Sequence, residues 1–313
     1  MSSPLLQPVW VLGVVMLIES VLRWPDRFHP LSFARIVADR MADKVHPSAD
    51  RDALQQRISG TLAPLVLISP IAIILAIFTN MAEFPLFFDG LLLLVALQYQ
   101  SILLRAKKVQ HALTSNKKVL ARQTLDPMVL RETASLSEVG MIKTCIESLL
   151  LRFHQQYVFT IVVFLLFGPV LTLSVRLTYD FSHCWNIKLK RFRYFGQPCA
   201  KFLAIIQWLP LRMSAAIFAL LGNVSHAFKA LRALPASSST HQVVLALHGG
   251  ALGVQLSGPV IYDGYKKRST KCGGQRFALT HDIQSTFNHI LLAKFSLWAL
   301  SLFVVGALYG LSQ

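Results

Sequence analysis

The chain has 313 residues, of which 54% are hydrophobic, and its mean hydropathy is +0.51. Soluble domains are about 45–50% apolar, so this composition disfavours an ordinary soluble protein and agrees with an integral membrane protein. The net charge of +16 would suggest nucleic-acid binding in a soluble chain. In a membrane protein Lys and Arg collect in cytoplasmic loops instead, and we therefore expect no nucleic-acid partner.

Six apolar stretches of about 18–22 residues lie along the chain, and a helix of that length crosses about 30 Å of hydrocarbon. They predict an all-α, polytopic membrane protein that forms a single domain over residues 1–313, with about five (four to six) transmembrane helices. The fifth stretch is the weakest, because Arg212 near its middle costs at least about 2.5–3.5 kcal/mol in the bilayer. The six stretches are 5–22, 61–79, 84–104, 157–175, 203–222 and 290–311.

Charge between the apolar stretches predicts the topology. The first stretch is expected to remain as a membrane helix, because a cleaved signal carries its positive charge before the apolar run and here Arg23 follows it. Seven Lys or Arg lie in residues 23–57 and nine in 105–152, whereas 80–83 has none. The N-terminus and the 80–83 link are therefore expected outside. The loops expected in the cytoplasm are 23–60, 105–156 and 223–289.

One basic loop conflicts with this alternation. If the stretch 157–175 crosses outward, the following loop lies outside, although it has five Lys or Arg in residues 188–201. Either Gly168-Pro169 breaks the stretch into a re-entrant hairpin, with 203–222 partly in the interface, or both stretches span and the basic loop is exported. We favour the hairpin, which requires protein to cover the re-entrant backbone.

The cytoplasmic loops contain helical patterns of their own. Residues 36–44 place apolar and charged side chains at helical spacing, which indicates an amphipathic helix along the membrane surface. Residues 105–147 predict two helices, with Asp126-Pro127 as a helix-start signal. Ser135 and Glu138 form another start signal, a capping box, and this helix is expected to continue into the fourth apolar stretch.

Glycines are concentrated in residues 249–258, and a basic run follows at 266–268. Consecutive N–H groups can form an anion-binding nest where glycine allows close approach, so a phosphate-holding loop is one interpretation. The other is a glycine-rich turn beside a solvated basic run. The four cysteines have no C-x-x-C spacing, so we expect isolated reduced thiols and no zinc site. His248 and His281 are too isolated in the sequence to indicate a metal site.

Several motifs occur in a recognisable order. Residues 250–259 read G-A-L-G-V-Q-L-S-G-P. The motifs that precede this run are, in chain order, Glu19, W-P at 24–25, H-P at 29–30, R-E-T at 131–133, I-E-S at 146–148, F-G at 195–196 and W-L-P-L-R at 208–212. Together they resemble the CobD/CbiB family of cobalamin biosynthesis, the adenosylcobinamide-phosphate synthases. The resemblance covers residues 19–283, and its collinear order is more specific than any single motif.

The chain also departs from the family pattern. Where the family continues A-E-N-x-x-D-G after V-E-S, Leu150, Leu151 and Arg152 stand here. The family's N-T-L-D-S-M segment is replaced here by Y-D-F-S-H-C at 179–184. In the family's G-D-P motif the acid is replaced by Trp24, although Asp26 lies two residues further on. AmpE-like regulatory membrane proteins, the non-synthase relatives, lack the same residues.

The resemblance implies an ATP-dependent amide-forming ligase that joins a corrinoid carboxylate, as in cobyric acid, to the amine of aminopropanol or its phosphate. It implies the bacterial inner membrane as the location, lipid contact, and ATP and Mg²⁺ as cofactors. Glu147, Arg131 and Arg212 are the expected catalytic residues, and Glu147 is also a candidate Mg²⁺ ligand. The expected substrate- and phosphate-binding residues are His29, Thr133, Ser148, Gly250, Gly253, Gly258, Tyr262 and Lys266.

Other interpretations remain open. Glu147 can be an interfacial carboxylate paired with Lys143 one turn earlier, and His29 a turn residue. A non-catalytic AmpE-like sensor or regulator would account for the lost acidic motifs, whereas the retained G-A-L-G and R-x-T blocks favour the enzyme. A transporter ranks third, because apart from Arg212 the apolar stretches carry few charges that could line a path.

Overall fold

The computed structural model describes residues 6–22, 24–46 and 50–311, so Leu5 and Arg23 of the sequence predictions lie outside the described residues. Over this part of the chain, thirteen α-helices and four three-residue strands form. The helices are α1 (Leu6–Val21), α2 (Pro30–Val45), α3 (Ala53–Met81), α4 (Pro85–Ala96), α5 (Gln100–Thr114), α6 (Lys118–Leu125), α7 (Glu138–Arg152), α8 (Phe159–Cys184), α9 (Gln197–Ile206), α10 (Trp208–Ala219), α11 (Val224–Arg232), α12 (Thr240–Leu252) and α13 (Thr280–Leu311).

The chain divides into two compact units. Unit 1 comprises the described residues of Met1–Gln98, Phe159–Gln207 and Leu297–Gln313, and includes α1–α4, α8 and α9. Its core contains the buried rings of Phe181, Trp185 and Phe195. Unit 2 comprises Tyr99–Val158 and Trp208–Ser296, and includes α5–α7, α10–α12 and the strands.

The strands of unit 2 follow α12 in the chain. β1 (Gln255–Ser257) pairs antiparallel with β4 (Lys271–Gly273), and β2 (Val260–Tyr262) pairs antiparallel with β3 (Tyr265–Lys267). Leu256 faces Cys272 across the first pair, and both side chains are buried. Of the two pairs, β1–β4 is the one that packs against α12.

Four helical stretches are long and apolar enough to cross a membrane, and α9 with α10 makes a fifth if that bent pair is one span. In the most apolar 18-residue window of each stretch fewer than half of the residues are buried, and on α3 the exposed side chains include Leu62, Leu65 and Ile74. The prediction of an all-α membrane protein with about five spans is confirmed. The four stretches are Ala53–Met81, Pro85–Thr114, Glu138–Cys184 and Thr280–Val304.

Two predicted spans are interrupted. The stretch 84–104 was expected as one helix, but α4 ends at Ala96 and α5 begins at Gln100. Arg176 Nε donates to the Ala96 carbonyl at 3.0 Å, so a buried cation replaces the missing helical partner of that oxygen. The stretch 203–222 is also divided, at a bend between α9 and α10. Within α8, Gly168 has non-helical angles (φ 78°, ψ −179°), at the break that the sequence indicated.

The helix-start signals were partly wrong. Asp126-Pro127 begins only a 3₁₀ turn that ends at Met128. The cap of α7 is Ser137, whose hydroxyl accepts from the Gly140 N–H, and not Ser135. Two Ser residues lie just upstream of Glu138, and the spacing alone did not decide between them. The predicted continuation is confirmed, since α7 runs through a π-helical segment, Phe153–Val158, into α8.

The amphipathic helix predicted at 36–44 is confirmed as α2. Its Ala38 and Ala42 are fully buried, whereas Arg40 and Lys44 are exposed. The glycine-rich run at 249–258 is only partly a loop. Gly249 and Gly250 belong to α12, which ends at Gly253 in a left-handed cap. The four cysteines are free, as expected.

Candidate functional site

The main polar site of unit 2 is built around Glu147 on α7, which is only 2% exposed. Its Oε2 accepts a hydrogen bond from Arg131 Nη2 at 2.5 Å, and its Oε1 accepts from the backbone N–H of Ser257 at 2.6 Å. The carboxylate thus joins the loop before α7 to the end of β1. The alternative interpretation paired Glu147 with Lys143, but the direct ion pair is with Arg131, which was predicted for the same site.

Backbone contacts fix the position of Arg131. Its other terminal nitrogen donates to Thr144 Oγ1 at 3.2 Å. The neighbouring Glu132 donates its N–H to the Ile261 carbonyl and accepts from the Gly264 N–H. The R-x-T motif is therefore held between α7 and the β2–β3 hairpin, and the Arg131 guanidinium pairs with the buried Glu147.

Two lysines extend this site beyond the ion pair. Lys143 interacts electrostatically with Glu147, Arg131 and Lys271. A Cβ on Gly258, which has φ +114°, would lie 3.4 Å from Lys143 Nζ and 3.4 Å from Lys271 Cγ. A side chain at this position would be strained and would fill the space between the lysines. We name Arg131, Lys143, Glu147, Gly258 and Lys271 the Glu147 cluster.

The Glu147 cluster has three cationic side chains and one carboxylate. Burial, followed by the negative charge of Glu147, raises the pKa of the nearby Cys272 thiol to about 12, so this thiol adds no charge near neutral pH. The excess of positive charge beside a glycine backbone suits a phosphate or carboxylate group.

A magnesium ion does not fit Glu147 in this arrangement. Mg²⁺ takes carboxylate oxygens as ligands, but the Glu147 carboxylate is already paired with the Arg131 guanidinium and lies near the positive charge of Lys143, which opposes a further cation there. Across the described residues no group of three or more His, Cys, Asp or Glu side chains is placed to hold a metal ion. The residues present therefore fit an anionic group and do not fit a protein-bound metal at this carboxylate.

Two further predicted residues, Thr133 and Ser148, stabilise the loop that carries Arg131. Thr133 Oγ1 donates to Asp126 Oδ1 at 2.7 Å. Ser148 Oγ donates to the Met128 carbonyl at 3.4 Å, and Arg152 donates to the same carbonyl at 2.9 Å. Both predicted residues are buried, and their described contacts position the loop.

Other predicted residues of unit 2 lie outside the Glu147 cluster. The Arg212 guanidinium lies 4.7 Å from the Trp208 ring centroid and donates to the Ser238 carbonyl at 3.4 Å. Tyr262 is buried on β2 with its ring near Tyr265, and Lys266 is exposed on β3. Among the described contacts none joins these side chains to Glu147.

The glycines of the G-A-L-G motif have different roles. A Cβ on Gly250 would lie 2.6 Å from the His226 carbonyl oxygen, so this glycine allows α11 and α12 to pack closely. Gly253 caps α12 with φ +71° and has open space around it. Of the three predicted glycines, Gly258 alone borders the Glu147 cluster among the described contacts.

A chain of three buried histidines in unit 2 was missed by the sequence analysis. His154 lies in the π-helical segment, with Nε2 2.6 Å from His248 Nε2 and Nδ1 2.8 Å from Ser214 Oγ. His248 Nδ1 lies 3.1 Å from His289 Nε2, and His289 bonds to the Phe218 carbonyl. Burial and the neighbouring histidines hold the pKa of His248 well below its usual value. Different nitrogens of His248 face the two partners, so the chain is a hydrogen-bond relay and not a metal centre.

His29 belongs to a separate cluster, in unit 1. Its Nδ1 accepts from the Leu31 N–H and caps α2. Burial, followed by the charges of Arg176 and Arg35, lowers the pKa of His29 to about 4, so the ring is neutral near pH 7. His29, which is 3% exposed, thus has the contacts of the turn residue that was the alternative to its predicted role in substrate binding.

Ion pairs beside His29 complete this cluster. Asp180 Oδ1 accepts from Arg35 Nη2 and from Arg176 Nη1, both at 3.1 Å. Arg35 also donates to Gln98 at 3.0 Å, and Gln98 donates to Asp26 at 3.3 Å. Asp26 thus belongs to the cluster. It lies two residues after Trp24, which stands at the position of the acid in the family's G-D-P motif. Asp180 was overlooked because the segment around it no longer matches the family motif.

Unit 1 and unit 2 thus each combine apolar outer helices with a buried cluster of charged side chains, which defines a multi-span membrane protein with built polar sites. A model of the family described as CobD/Cbib protein matches residues 12–290. The chain belongs to this family of cobalamin-biosynthesis proteins, and the predicted resemblance is confirmed.

Relatives share this assignment over most of their length. The chain is similar to "Cobalamin biosynthesis protein CobD" of Chromobacterium violaceum, with 28% identity over 84% of this chain and 85% of the relative. It is similar to the protein of the same name from Stutzerimonas stutzeri, with 27% identity over 96% and 98%. It is also similar to the protein of that name from Streptococcus sanguinis, with 28% identity over 54% of this chain and 56% of the relative. No solved structure matches the chain.

Proposed function

We propose that the protein forms an amide bond between a corrinoid carboxylate, as in cobyric acid, and the amine of aminopropanol or its phosphate. Membership of the CobD/Cbib family is the observation that carries this proposal. The Glu147 cluster supports it, because amide formation from two charged partners needs cationic groups that hold phosphate or carboxylate in place.

Each residue of the cluster has a defined part in this proposal. Arg131 and the two lysines hold anionic oxygens of the substrates, and Glu147 keeps Arg131 and the Ser257 N–H in a fixed geometry. ATP, when bound, supplies the activation that a carboxylate requires before an amine can displace an oxygen. The cations fit its phosphates, whereas Glu147, which is already paired with Arg131, is not the ligand of its metal ion.

The location belongs to the same proposal. The protein acts in the bacterial inner membrane, with the loops that bear the Glu147 cluster facing the cytoplasm. Lys and Arg are concentrated in the loop that contains Arg131, which supports a cytoplasmic position. ATP and the water-soluble amine would then reach the cluster from the compartment that contains them.

A non-catalytic membrane regulator or sensor of the AmpE kind is the second candidate. The observation that favours it is that both carboxylate oxygens of Glu147 accept hydrogen bonds within the protein, as in an ion pair with a structural role. In that case the basic groups would bind an anionic ligand without converting it.

Genetic complementation tests the proposal. The chain is expressed in a bacterium that lacks its own adenosylcobinamide-phosphate synthase, and growth is measured on cobyric acid under conditions that require cobalamin. We expect rescue by the native chain and loss of rescue in Glu147→Gln. The matched control is Glu138→Gln on the same helix, because Glu138 is exposed and pairs only with the exposed Lys118 among the described ion pairs.

A third variant separates folding from ligand binding. Lys271 is exposed, so Lys271→Gln should insert normally and should raise the KM for the phosphate-bearing substrate more than it lowers kcat. Absence of rescue by a native chain that is well expressed and correctly inserted would refute the enzyme and favour the regulator.

A further inference from the structure

The basic loop between α8 and α9, residues 185–196, packs tightly against the chain that leads into α3. Trp185 Nε1 donates to the Ala38 carbonyl of α2 at 3.2 Å. The Phe195 ring stacks on His46 with centroids 5.0 Å apart and planes 9° apart. A Cβ on Gly60 would lie 1.9 Å from the Phe195 carbonyl oxygen, so the start of α3 tolerates only glycine at this contact.

Polar contacts add to this packing. Arg191 Nη2 donates to Asp43 Oδ1 at 2.7 Å, and the Arg191 carbonyl lies 2.7 Å from His46 Nε2. Arg57 Nε donates to Gln197 Oε1 at 2.9 Å across the same junction. The loop is therefore attached to α2, to its C-terminal cap and to the first turns of α3.

This attachment places the loop at a known end of a span. α3 is a 29-residue candidate span that begins at Ala53, so its first turns mark one membrane interface. The loop 185–196 must lie at that same interface. Residues 185–201 contain five basic and no acidic residues, and exposed basic residues also stand at Arg51 and Arg57.

The side chains at this end suit a phospholipid surface. Tyr194 lies between two cations, with the Arg57 and Arg193 guanidinium carbons 5.5 and 5.6 Å from its ring centroid. Exposed apolar side chains lie among and next to the basic ones, at Leu54 and Ile58 on α3, at Ile187 in the loop and at Phe202 on α9. Basic and aromatic residues beside a lipid-facing apolar surface are typical of the headgroup region.

We propose that residues 185–201, together with 51–57, form one basic face of unit 1 that binds the phosphate headgroups of anionic phospholipids. This inference is independent of the proposed reaction. It places the basic loop on the same side of the membrane as the first loop, so that this loop is not exported.

The proposal also bears on the topology that the sequence left open. It keeps the basic loop on the side of the first loop, which favours the re-entrant hairpin over export of the loop. Gly168, where the α8 angles depart from helical values, is the residue at which such a hairpin would turn.

Cysteine accessibility tests the shared side. A membrane-impermeant maleimide is applied to intact cells and to inverted vesicles carrying Lys190→Cys, Arg51→Cys or Glu83→Cys, with the native chain as the background control. We expect Lys190→Cys and Arg51→Cys to be labelled from one side and Glu83→Cys, beyond the other end of α3, from the opposite side. Labelling of Lys190→Cys from the same side as Glu83→Cys would overturn the proposal.

Lipid dependence tests the ligand. The full chain is reconstituted in nanodiscs of phosphatidylcholine alone or with phosphatidylglycerol, and Tm is measured. Phosphatidylglycerol should raise the Tm of the native chain by about 3 °C or more, and high salt should reduce this shift. The triple variant Lys190→Gln, Arg193→Gln, Lys201→Gln should lose most of the shift.

A charge-matched control completes this experiment. The triple variant Lys117→Gln, Lys229→Gln, Arg232→Gln removes three exposed cations of unit 2 and should keep the shift. Equal Tm values in both lipids for the native chain, or an equal loss in both triple variants, would show that the basic face does not bind anionic headgroups.

Discussion

Glu147 shows how a buried charge is retained in an apolar protein. Its side chain is 3% exposed and that of Arg131 is 16% exposed, so neither charge is well solvated. Each then depends on the other and on the Ser257 N–H for its stability. Removal of one partner from such a pair leaves an uncompensated charge, which is more damaging than removal of both.

Arg131→Met should therefore destabilise unit 2 by about 3–5 kcal/mol, because Glu147 remains buried without its cation. The double variant Arg131→Met, Glu147→Met should be more stable than either single variant. Thermal or denaturant unfolding in detergent would measure this. If the losses of the two single variants add in the double variant, the two side chains are not coupled as the structure indicates.

His29 makes a separate prediction about pH. Its folded pKa is about 4 and its usual value is 6.5, so the unfolded chain binds the proton first as pH falls. The stabilisation due to the neutral ring is thus complete above pH 6.5 and is lost between pH 6.5 and 4. The loss amounts to at most about 3 kcal/mol.

Unfolding of the native chain and of His29→Asn at several pH values would measure this loss. Asn also caps helices but does not titrate, so the variant should keep α2 and should lack this part of the pH dependence. An unchanged pH profile in His29→Asn would assign the effect to other groups.

At the scale of elements, the glycines of the 249–258 run are required mainly for packing. Gly250→Ala would place a methyl group 2.6 Å from the His226 carbonyl oxygen and 2.7 Å from Ala227 Cα. Since these are backbone atoms, α11 and α12 must move apart, at an expected loss of about 1–3 kcal/mol. Gly253→Asn should cost less, because Asn tolerates the left-handed cap and no atom crowds that site.

Parallel unfolding and complementation assays on Gly250→Ala would separate packing from ligand binding. We expect growth to fall only as far as the amount of folded protein falls. Full stability combined with loss of rescue would return Gly250 to the phosphate-binding role that the sequence suggested.

Hydropathy predicted the long helices well, because a span requires a long apolar surface that any sequence displays directly. The break after Ala96 was not predictable in the same way. No Gly or Pro marks Leu97–Tyr99, and the carbonyl that the break leaves is bonded by Arg176, 80 residues later. The two candidate caps before α7 also differ only in tertiary contacts, so local chemistry indicated the region and not the residue.

The polar clusters were predicted only in part. Arg131, Glu147 and Gly258 were found because they lie in motifs, but the Ser257 N–H contact joins positions 110 residues apart. Arg35 and Asp180 are 145 residues apart, and no local pattern relates them. The histidines at 154 and 248 are 94 residues apart. Such contacts depend on which helices become neighbours, which the single sequence does not specify.

At the scale of the whole molecule, each of the two units follows the same physical rule. Apolar side chains remain exposed on membrane-length helices, and charged side chains are buried in pairs and clusters. Lipid can solvate the first group but not the second, so a detergent that strips lipid should weaken the basic face before it weakens the buried clusters.

The π-helical segment Phe153–Val158 has a consequence for evolution of the chain. A π turn holds an extra residue relative to an α turn, so insertion of one residue into an α-helix can be accommodated as such a turn. Deletion of one residue here would restore an ordinary α-helix without displacing the helical faces before Arg152 or after Phe159. Relatives that are one residue shorter at this point can therefore share the same fold while lacking the turn that carries His154.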